Sequence, residues 1–244
     1  MKIVLLANQT VGHEILKFML ASHRSDLSLV VCMSDDEIYR LAKSNNIVSE
    51  ICINNEELHT VLNDLDFDIG IMAWWPFILQ TKNISKANYG FINTHNSLLP
   101  NNRGKHPYFW AIIEELPYGV TLHWVDEGID TGAIISQKPI NITWEDNSDT
   151  VYQRSQNEMI SLFKSTYPML RDKTADTVQQ SSLGTFHYST ELEKMREIDL
   201  NKSYKARHLL NLLRATTSSS NKFKSSYFRD GNNVYRVQVK IQKE

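Results

Sequence analysis

The chain is 244 residues long and 41% hydrophobic, enough to bury a core as one domain or as one domain with a small appendage. Its longest nearly apolar run, from Ile69 to Leu79, is interrupted by Gly70 and Pro76 and falls short of the roughly 20 residues that a bilayer helix needs. A transmembrane helix is therefore excluded. The first residues lack a long apolar signal segment, which predicts a cytoplasmic protein.

Charge is distributed unevenly along the chain, although the formal net charge is only −2. Residues 201–244 hold ten lysines or arginines against two acidic residues, Asp230 and Glu244, so this tail has a charge of +8 and residues 1–200 carry −10. The asymmetry is compatible with an anionic ligand, whereas a solvated basic surface is the more common explanation. The two cysteines, Cys32 and Cys52, lie in apolar runs, which favours buried thiols and gives no support for a metal site.

Apolar runs typical of strands alternate with helical spacing along the first 95 residues. Strands are predicted at residues 2–7, 27–33, 47–53, 68–75 and 90–95. Such alternation predicts a parallel sheet covered on both faces, with a ligand crevice at the carboxyl ends of the strands. The first of these ends, residues 8–12, lacks GxGxxG spacing, and the chain contains no Walker-type phosphate loop. Ordinary dinucleotide binding and nucleoside triphosphate hydrolysis are therefore disfavoured.

The rest of the chain is predicted to complete this sheet and to add a small tail. Strands at residues 118–126 and 133–142 are followed by a long helix that ends near Pro168 or continues with a kink. The polar stretch 174–182 is the best candidate for a linker. It would separate a catalytic domain, residues 1–180, from an extension, residues 181–244, that contains a helix and a β-hairpin.

Two polar side chains mark the end of the strand at residues 90–95. Asn93 and His95 point to the same side because strand side chains alternate with a period of two. An amide and a titratable imidazole therefore face one site. Each residue by itself would more often be a satisfied turn residue than a catalytic group.

The surrounding sequence resembles the folate-dependent formyltransferases. The run from Gly90 to Pro100 contains their Asn-x-His-x-Ser-Leu-Leu-Pro signature, and a second family motif has its counterpart from Gly119 to Ile135. The resemblance covers most of the chain. It implies an α/β fold with a Rossmann-like formyltransferase domain and a parallel-rich sheet, extended by a small C-terminal helix and β-hairpin.

The resemblance implies that Asn93, His95 and Asp130 form a catalytic trio and that 10-formyltetrahydrofolate is the formyl donor. When an amine attacks the formyl carbon, the Asn93 amide and a protonated His95 would stabilise the oxyanion. His95 would also accept the amine proton, since an unperturbed imidazole has a pKa of about 6.5. Asp130 would orient and charge-stabilise the His95 imidazole or relay protons through water, and an Asx hydrogen bond that holds its own turn is compatible with both roles.

The resemblance also implies folate contacts in two segments. The contacts are Trp75, Phe77, Ile78 and Leu79 in the first segment and Val125, Asp126 and Glu127 in the second. A pterin needs an apolar slot with exposed backbone groups. Without the resemblance, the first segment would be interpreted as core packing.

Segments outside these motifs indicate which amine is formylated. Residues 103–112, 184–187 and 198–200 resemble bacterial sugar N-formyltransferases, which predicts a nucleotide-linked amino sugar as acceptor, first of all a dTDP-4-amino-4,6-dideoxyhexose for O-antigen or a related surface polysaccharide. A tail of about 60 residues is too short for the C-terminal barrel expected of a methionyl-tRNA formyltransferase. That enzyme, a glycinamide ribonucleotide formyltransferase and a catalytically silent folate- or nucleotide-binding protein remain alternatives. No nucleic acid or membrane partner is expected.

Six residues are predicted to contact the sugar nucleotide: Asn8, Gln9, Thr10, Arg103, Tyr227 and Phe228. The first three follow the first strand and would otherwise cap the next helix. Tyr227 or Phe228 would stack on the base, although hairpin aromatics more often pack on their own sheet. The hairpin could also form a homodimer, but packing within the chain explains its alternating pattern equally well.

Overall fold

The computed structural model describes residues 1–181, 183–218 and 225–244, so Ser182 of the predicted linker lies outside the described residues. The chain divides into two compact units. The first unit consists of Met1–His95, Val120–Lys138 and Gln156–Gln180, and the second of Asn96–Gly119, Pro139–Ser155 and Ser181–Glu244. The first unit ends at residue 180, which is also the predicted domain boundary. The second unit, however, includes two segments that precede this residue, Asn96–Gly119 and Pro139–Ser155. The assignment of domains at that residue stays a prediction.

Eleven strands and eight α-helices are found within the described ranges. The strands are β1 (Ile3–Ala7), β2 (Leu27–Cys32), β3 (Ser49–Ile51), β4 (Ile69–Ala73), β5 (Gly90–His95), β6 (Arg103–Gly104), β7 (Tyr118–Trp124), β8 (Ile134–Ile140), β9 (Phe186–His187), β10 (Ser226–Asp230) and β11 (Asn233–Val237). The helices are α1 (Gln9–Ser22), α2 (Glu37–Ser44), α3 (Asn55–Leu62), α4 (Thr81–Ile84), α5 (Pro107–Glu114), α6 (Ser148–Arg171), α7 (Ser189–Met195) and α8 (Ala206–Thr216).

A seven-stranded sheet with the order β3, β2, β1, β4, β5, β7, β8 organises the fold. Strand β1 pairs in parallel with β2 and β4, β4 pairs in parallel with β5, and β7 runs antiparallel to β5. Every residue of β1 and β4 is buried, as expected of parallel strands covered on both faces. The predicted α/β fold with a parallel-rich sheet is therefore confirmed, as is the C-terminal extension with a helix and a hairpin.

Two short helices begin where a side-chain cap is available. Asp36 accepts hydrogen bonds from the backbone N–H groups of Ile38 at 2.9 Å and Tyr39 at 3.1 Å, and Asn54 caps α3 in the same way. A cap of this kind satisfies backbone donors that the first helical turn leaves unpaired and contributes about 1 kcal/mol. The side chains of Asp36 and Asn54 thus mark where α2 and α3 begin.

The core of the first unit buries both cysteines. Burial raises the pKa of the Cys32 thiol to about 12 and that of Cys52 to about 11, so both stay protonated at neutral pH. In the same core, Gly70 allows the Phe91 ring to lie on the sheet, because a Cβ atom there would be 2.0 Å from the ring. The prediction of buried thiols is confirmed.

The C-terminal half contains one helix whose end the sequence left open and one that was not predicted. Helix α6 continues through Pro168 to Arg171, as one of the two sequence-based alternatives allowed, rather than ending at the proline. Helix α7 was not predicted, since five of its seven residues are polar and none is buried. None of the helices in the described segments combines the length and the apolar character needed to cross a bilayer.

Candidate active site

The end of β5 carries two of the predicted catalytic side chains, and the neighbouring strand adds a third polar group. In the antiparallel pairing of β5 with β7, Asn93 lies opposite His123 and His95 lies opposite Thr121. Directly opposed residues project from the same face of a sheet. The pairing therefore places the His123 imidazole beside Asn93. His95 and His123 are buried, with 6% and 2% of their surface exposed.

Asp130 faces these side chains from the loop between β7 and β8. Its Oδ1 accepts a hydrogen bond from Asn93 Nδ2 at 3.2 Å and lies 3.6 Å from His123 Nε2. Its Oδ2 lies 3.4 Å from His95 Nδ1. The structure thus brings Asn93, His95 and Asp130 into direct contact, while their catalytic roles stay predictions.

The hydrogen bonds of His123 indicate where the two amide hydrogens of Asn93 point. His123 Nδ1 lies 2.8 Å from the backbone oxygen of Trp124, which can only accept, so Nδ1 carries a proton and Nε2 is the ring nitrogen that can accept a hydrogen bond from an amide. That Nε2 is 3.3 Å from Asn93 Nδ2. The amide therefore directs its two hydrogens to His123 and Asp130. If the Asn93 amide is to donate a hydrogen bond to an oxyanion, as predicted, it must first give up its bond to His123 or to Asp130.

The loop that presents Asp130 is closed by a different aspartate. The Asp126 carboxylate accepts hydrogen bonds from the Gly128 N–H at 3.1 Å and from the Thr131 hydroxyl at 2.6 Å. Sequence analysis left open whether Asp130 holds this turn, and the structure shows Asp126 forming these turn bonds. Asp126 and Glu127 are exposed, and their folate contacts stay predictions.

The predicted folate segment after β4 is divided between the core and the surface. Trp75 and Leu79 are buried in the main hydrophobic cluster, and Phe77 and Val125 pack against it partly buried. The Trp75 and Phe77 rings meet edge to face at 5.9 Å, whereas Ile78 is 60% exposed. Core packing therefore accounts for part of this segment, and folate contact remains a prediction for all of it.

The three residues after β1 lie beside the end of β4. The Asn8 side chain donates to the backbone oxygen of Trp74 at 3.3 Å, and its backbone N–H donates to Ala73 at 3.0 Å. Asn8 occupies the N-cap position of α1, yet its side chain makes no capping hydrogen bond. Gln9 and Thr10 are exposed at the first turn of the helix. Their contact with a sugar nucleotide stays a prediction.

Arg103 lies in the second unit, on the short strand β6 that pairs with β9. Its guanidinium donates to the backbone oxygen of Ser181 at 3.1 Å, and its backbone N–H donates to Thr185 at 2.9 Å. The guanidinium thus helps to hold the segment that precedes β9. Its role in substrate binding stays a prediction.

The hairpin aromatics of the second unit make contacts with their own neighbours. The guanidinium groups of Arg196 and Arg229 lie 5.8 Å and 5.6 Å from the centre of the Tyr227 ring. Phe228 stacks on Tyr235 with ring centroids 5.2 Å apart. These contacts correspond to the intramolecular alternative, and base stacking by either residue stays a prediction.

Sequence analysis missed two residues that contact the polar cluster or its loop. His123 lies within the second family motif, and its position would have followed from the pairing of β5 with β7. Gln180 donates two hydrogen bonds to the backbone of the Asp130 loop, but it lies in a polar stretch that carries no local signal. Within the described residues, no group of three or more His, Cys, Asp or Glu side chains is arranged to hold a metal ion.

Comparison with known protein families identifies the family of this chain. Residues 1–166 match the family model described as formyl transferase, which is more than half of the chain. The chain belongs to the formyltransferase family. Residues 191–243 of this formyltransferase match a second model, described as an N-formyltransferase dimerization C-terminal domain. The enzyme class expected from the sequence motifs is therefore confirmed.

Three similar proteins illustrate the range of the family. The methionyl-tRNA formyltransferase of Staphylococcus epidermidis is 30% identical over 223 residues, which cover 85% of this chain and 71% of that protein. The dTDP-4-amino-4,6-dideoxyglucose formyltransferase of Mycobacterium tuberculosis is 32% identical over 155 residues, covering 63% of this chain and 65% of that protein. The formyltransferase PseJ of Anoxybacillus kamchatkensis is 26% identical, with a TM-score of 0.60 over 80% of this chain and 89% of that chain.

Proposed function

We propose that this formyltransferase transfers the formyl group of 10-formyltetrahydrofolate to the amine of a nucleotide-linked amino-deoxy sugar. The observation that carries the choice of acceptor is the match of residues 191–243 to an N-formyltransferase C-terminal domain, because formyltransferases for tRNA, glycinamide ribonucleotide and sugars are expected to differ in their C-terminal segments. PseJ was solved with UDP-4,6-dideoxy-4-formamido-L-AltNAc and tetrahydrofolate. That complex supports both a sugar nucleotide and a folate as substrates.

The indole N–H of Trp75 supports the proposed folate contact of the segment after β4. The indole Nε1 of Trp75 is buried and has no hydrogen-bond partner among the described residues. A buried donor without a partner is rare in proteins and marks a place for an acceptor group. A pterin offers ring nitrogens and a carbonyl oxygen as acceptors. When bound, the folate supplies the formyl group as the electrophile.

The chain's own residues then account for the proton and charge changes of the transfer. Asp130 contacts Nδ1 of His95. The imidazole therefore uses its other nitrogen, Nε2, to accept the proton of the attacking amine. The negative charge that develops on the formyl oxygen needs a donor, and the Asn93 amide supplies it by exchanging its bond to His123 or Asp130. The contact with His123 Nε2 keeps that amide oriented until the exchange.

The specific acceptor proposed is a dTDP-4-amino-4,6-dideoxyhexose, and the product would enter a surface polysaccharide such as O-antigen. The M. tuberculosis relative, named for dTDP-4-amino-4,6-dideoxyglucose, supports this choice. Arg103, Tyr227 and Phe228 are the proposed contacts of the second unit with the nucleotide. The match to a dimerization domain supports a homodimer.

Methionyl-tRNA is the second candidate acceptor, because the S. epidermidis methionyl-tRNA formyltransferase aligns over most of this chain. A tRNA substrate would make affinity fall steeply with salt, since Lys and Arg contacts to phosphates release counterions. A sugar nucleotide carries only a diphosphate and should show a much weaker dependence. Salt dependence of KM therefore separates the two acceptors.

The test is the loss of the formyl group from 10-formyltetrahydrofolate, followed by absorbance with a panel of dTDP- and UDP-amino sugars. Glycinamide ribonucleotide and methionyl-tRNA serve as control acceptors, and His95→Asn serves as the inactive enzyme. Turnover with a sugar nucleotide that His95→Asn abolishes is the expected result. Turnover only with a control acceptor would contradict the proposed acceptor. The absence of turnover with every acceptor would contradict formyl transfer to these amines.

A further inference from the structure

Gln180 makes a two-point contact with the loop that presents Asp130. Its side-chain Nε2 donates one hydrogen bond to the backbone oxygen of Asp130 at 2.9 Å and another to that of Gly132 at 2.7 Å. Both distances are in the normal range for amide-to-carbonyl hydrogen bonds. A single amide group thus bridges the residue that carries the carboxylate and the residue at which the loop returns to the sheet.

The loop has a backbone conformation that needs such support. Asp130 has a φ of 54°, in the left-handed region that residues with a side chain rarely adopt. Gly132 approaches Trp124 so closely that a Cβ atom would lie 1.9 Å from the Trp124 oxygen. Unfavourable backbone geometry of this kind persists only where surrounding contacts hold it in place. The carboxylate of Asp130 therefore depends on the contacts that fix its backbone.

The segment that carries Gln180 is itself anchored to the sheet. Val178 and Ile134 form an isolated antiparallel bridge, with reciprocal N–H to oxygen hydrogen bonds of 2.8 Å. Ile134 is the first residue of β8, so the loop that ends there is fixed to Val178 on one side and to Gln180 on the other. Within the stretch 174–182 that the sequence suggested as a linker, Val178 and Gln180 therefore support the loop.

We propose that Gln180 is a positioning residue for the formyl transfer proposed above, on which this inference rests. By holding the backbone oxygens of Asp130 and Gly132, its amide keeps the Asp130 carboxylate within reach of His95 Nδ1 and Asn93 Nδ2. Gln180 acts through Asp130 and does not need to touch substrate. Its removal lowers the rate of chemistry and leaves substrate binding intact.

The test compares Gln180→Met and Gln180→Ala with Gln179→Ala. Methionine matches the length of glutamine and removes the two donor hydrogens, while Gln179 is the exposed neighbour in the same segment. The first readout needs no substrate: the ¹⁵N signals of the His95 imidazole, assigned by their absence in His95→Asn, report the contact with Asp130. These signals shift in both Gln180 variants and stay unchanged in Gln179→Ala.

The second readout is steady-state kinetics with the acceptor identified in the panel assay. Because misplacing a catalytic group by about 1 Å can reduce a rate about 10²-fold, we expect kcat to fall about tenfold in Gln180→Met, with KM for both substrates within about twofold of wild type. In an Asp130→Asn background, the same Gln180 change should reduce kcat by less than about twofold, because residues that act together are not additive.

Three results would overturn the inference. The first is unchanged His95 signals in the folded Gln180 variants, and the second is a wild-type kcat in these variants. The third is a full tenfold loss of kcat when the Gln180 change is made in the Asp130→Asn background. The outcome is separable from that of the proposed function. If wild type formylates none of the acceptors, the proposed function fails, and the imidazole signals alone decide whether Gln180 positions Asp130. If Gln180→Ala does not fold, Gln180→Met supplies the comparison.

Discussion

Asp26 and Asp130, both in the first unit, each lie close to a histidine. They differ in the other groups that contact the carboxylate. Asp26 is 3% exposed and accepts hydrogen bonds from the Tyr167 hydroxyl and from Arg171 Nε, both at 2.9 Å. Its histidine neighbour, His23, is 3.9 Å away. The hydrogen bond to Asp26 raises the pKa of the Arg171 guanidinium further above its already high usual value. Asp26 is thus held by a permanent cation and a phenol.

Asp130 meets groups of another kind. Its carboxylate contacts the Asn93 amide and the imidazoles of His95 and His123, and its side chain is 13% exposed. Imidazoles exchange protons near neutral pH, whereas a guanidinium does not. A carboxylate fixed by a guanidinium stabilises the fold, and one fixed by imidazoles can take part in proton transfer. We therefore expect the two aspartates to have different roles, set by their partners.

The largest effect that separates the two sites is expected from the matched changes Asp130→Asn and Asp26→Asn. Asp130→Asn should lower kcat about 10³-fold with little loss of stability, because it removes the anion that orients and charge-stabilises His95. Asp26→Asn should lower the free energy of unfolding by about 2 kcal/mol, because the buried bonds to Tyr167 and Arg171 are weakened. Urea denaturation and kcat, measured on both variants, check the pair.

The control for this pair is the kcat of folded Asp26→Asn, which should equal that of wild type. A loss of activity in Asp26→Asn without loss of stability would contradict the division between the two carboxylates. Equal destabilisation by both changes would do the same.

A smaller effect is expected from the histidines beside the two carboxylates. His123→Phe removes the acceptor that orients the Asn93 amide and should lower kcat about tenfold, while His123→Gln supplies a new acceptor oxygen and should recover part of the loss. His23→Phe keeps the ring contact with Tyr167, now 4.6 Å between centroids, and should leave kcat unchanged. Steady-state kinetics of the three variants test this, and an equal loss in His23→Phe would contradict it.

The parts of the site that local patterns describe were predictable, and the parts made by long-range contacts were not. Asn93 and His95 share a face because of the two-residue period of a single strand, which the sequence displays directly. His123 could be placed only by knowing that β7 pairs with β5 in a register that sets it opposite Asn93. The strand order of a sheet depends on contacts between distant segments.

The support of the Asp130 loop shows the same limit. Gln180 comes 50 residues after Asp130 in the chain, and nothing in the polar run around it distinguishes it from the exposed Gln179. Asp26 likewise gives no signal, because Tyr167 and Arg171 reach it from a helix more than 140 residues later. Most strand and helix positions in the first half, by contrast, followed from apolar periodicity, although the short helix α4 was not predicted.

The smallest expected effect tests the Asp26 site through pH. The pKa of Tyr167 is raised above its usual range, first by burial and then by the hydrogen bond to Asp26, so the folded state favours the neutral phenol. A group whose pKa is raised on folding contributes stability that is present in full below its unfolded pKa, about 10 for tyrosine, and is lost as the pH rises above it. Tyr167→Phe should therefore cost about 1 kcal/mol from pH 7 to 9, through the lost hydrogen bond.

Above about pH 10 the difference between wild type and Tyr167→Phe should shrink, by at most about 1.4 kcal/mol per pH unit, because only wild type then loses the stability of the neutral phenol. Urea midpoints at several pH values between 7 and 10.5 measure this difference. Tyr235→Phe, which removes the hydroxyl of a tyrosine that is 46% exposed, is the matched control and should not change the stability at any of these pH values. A constant difference for Tyr167→Phe across the range would mean that Asp26 and its surroundings do not hold the phenol neutral.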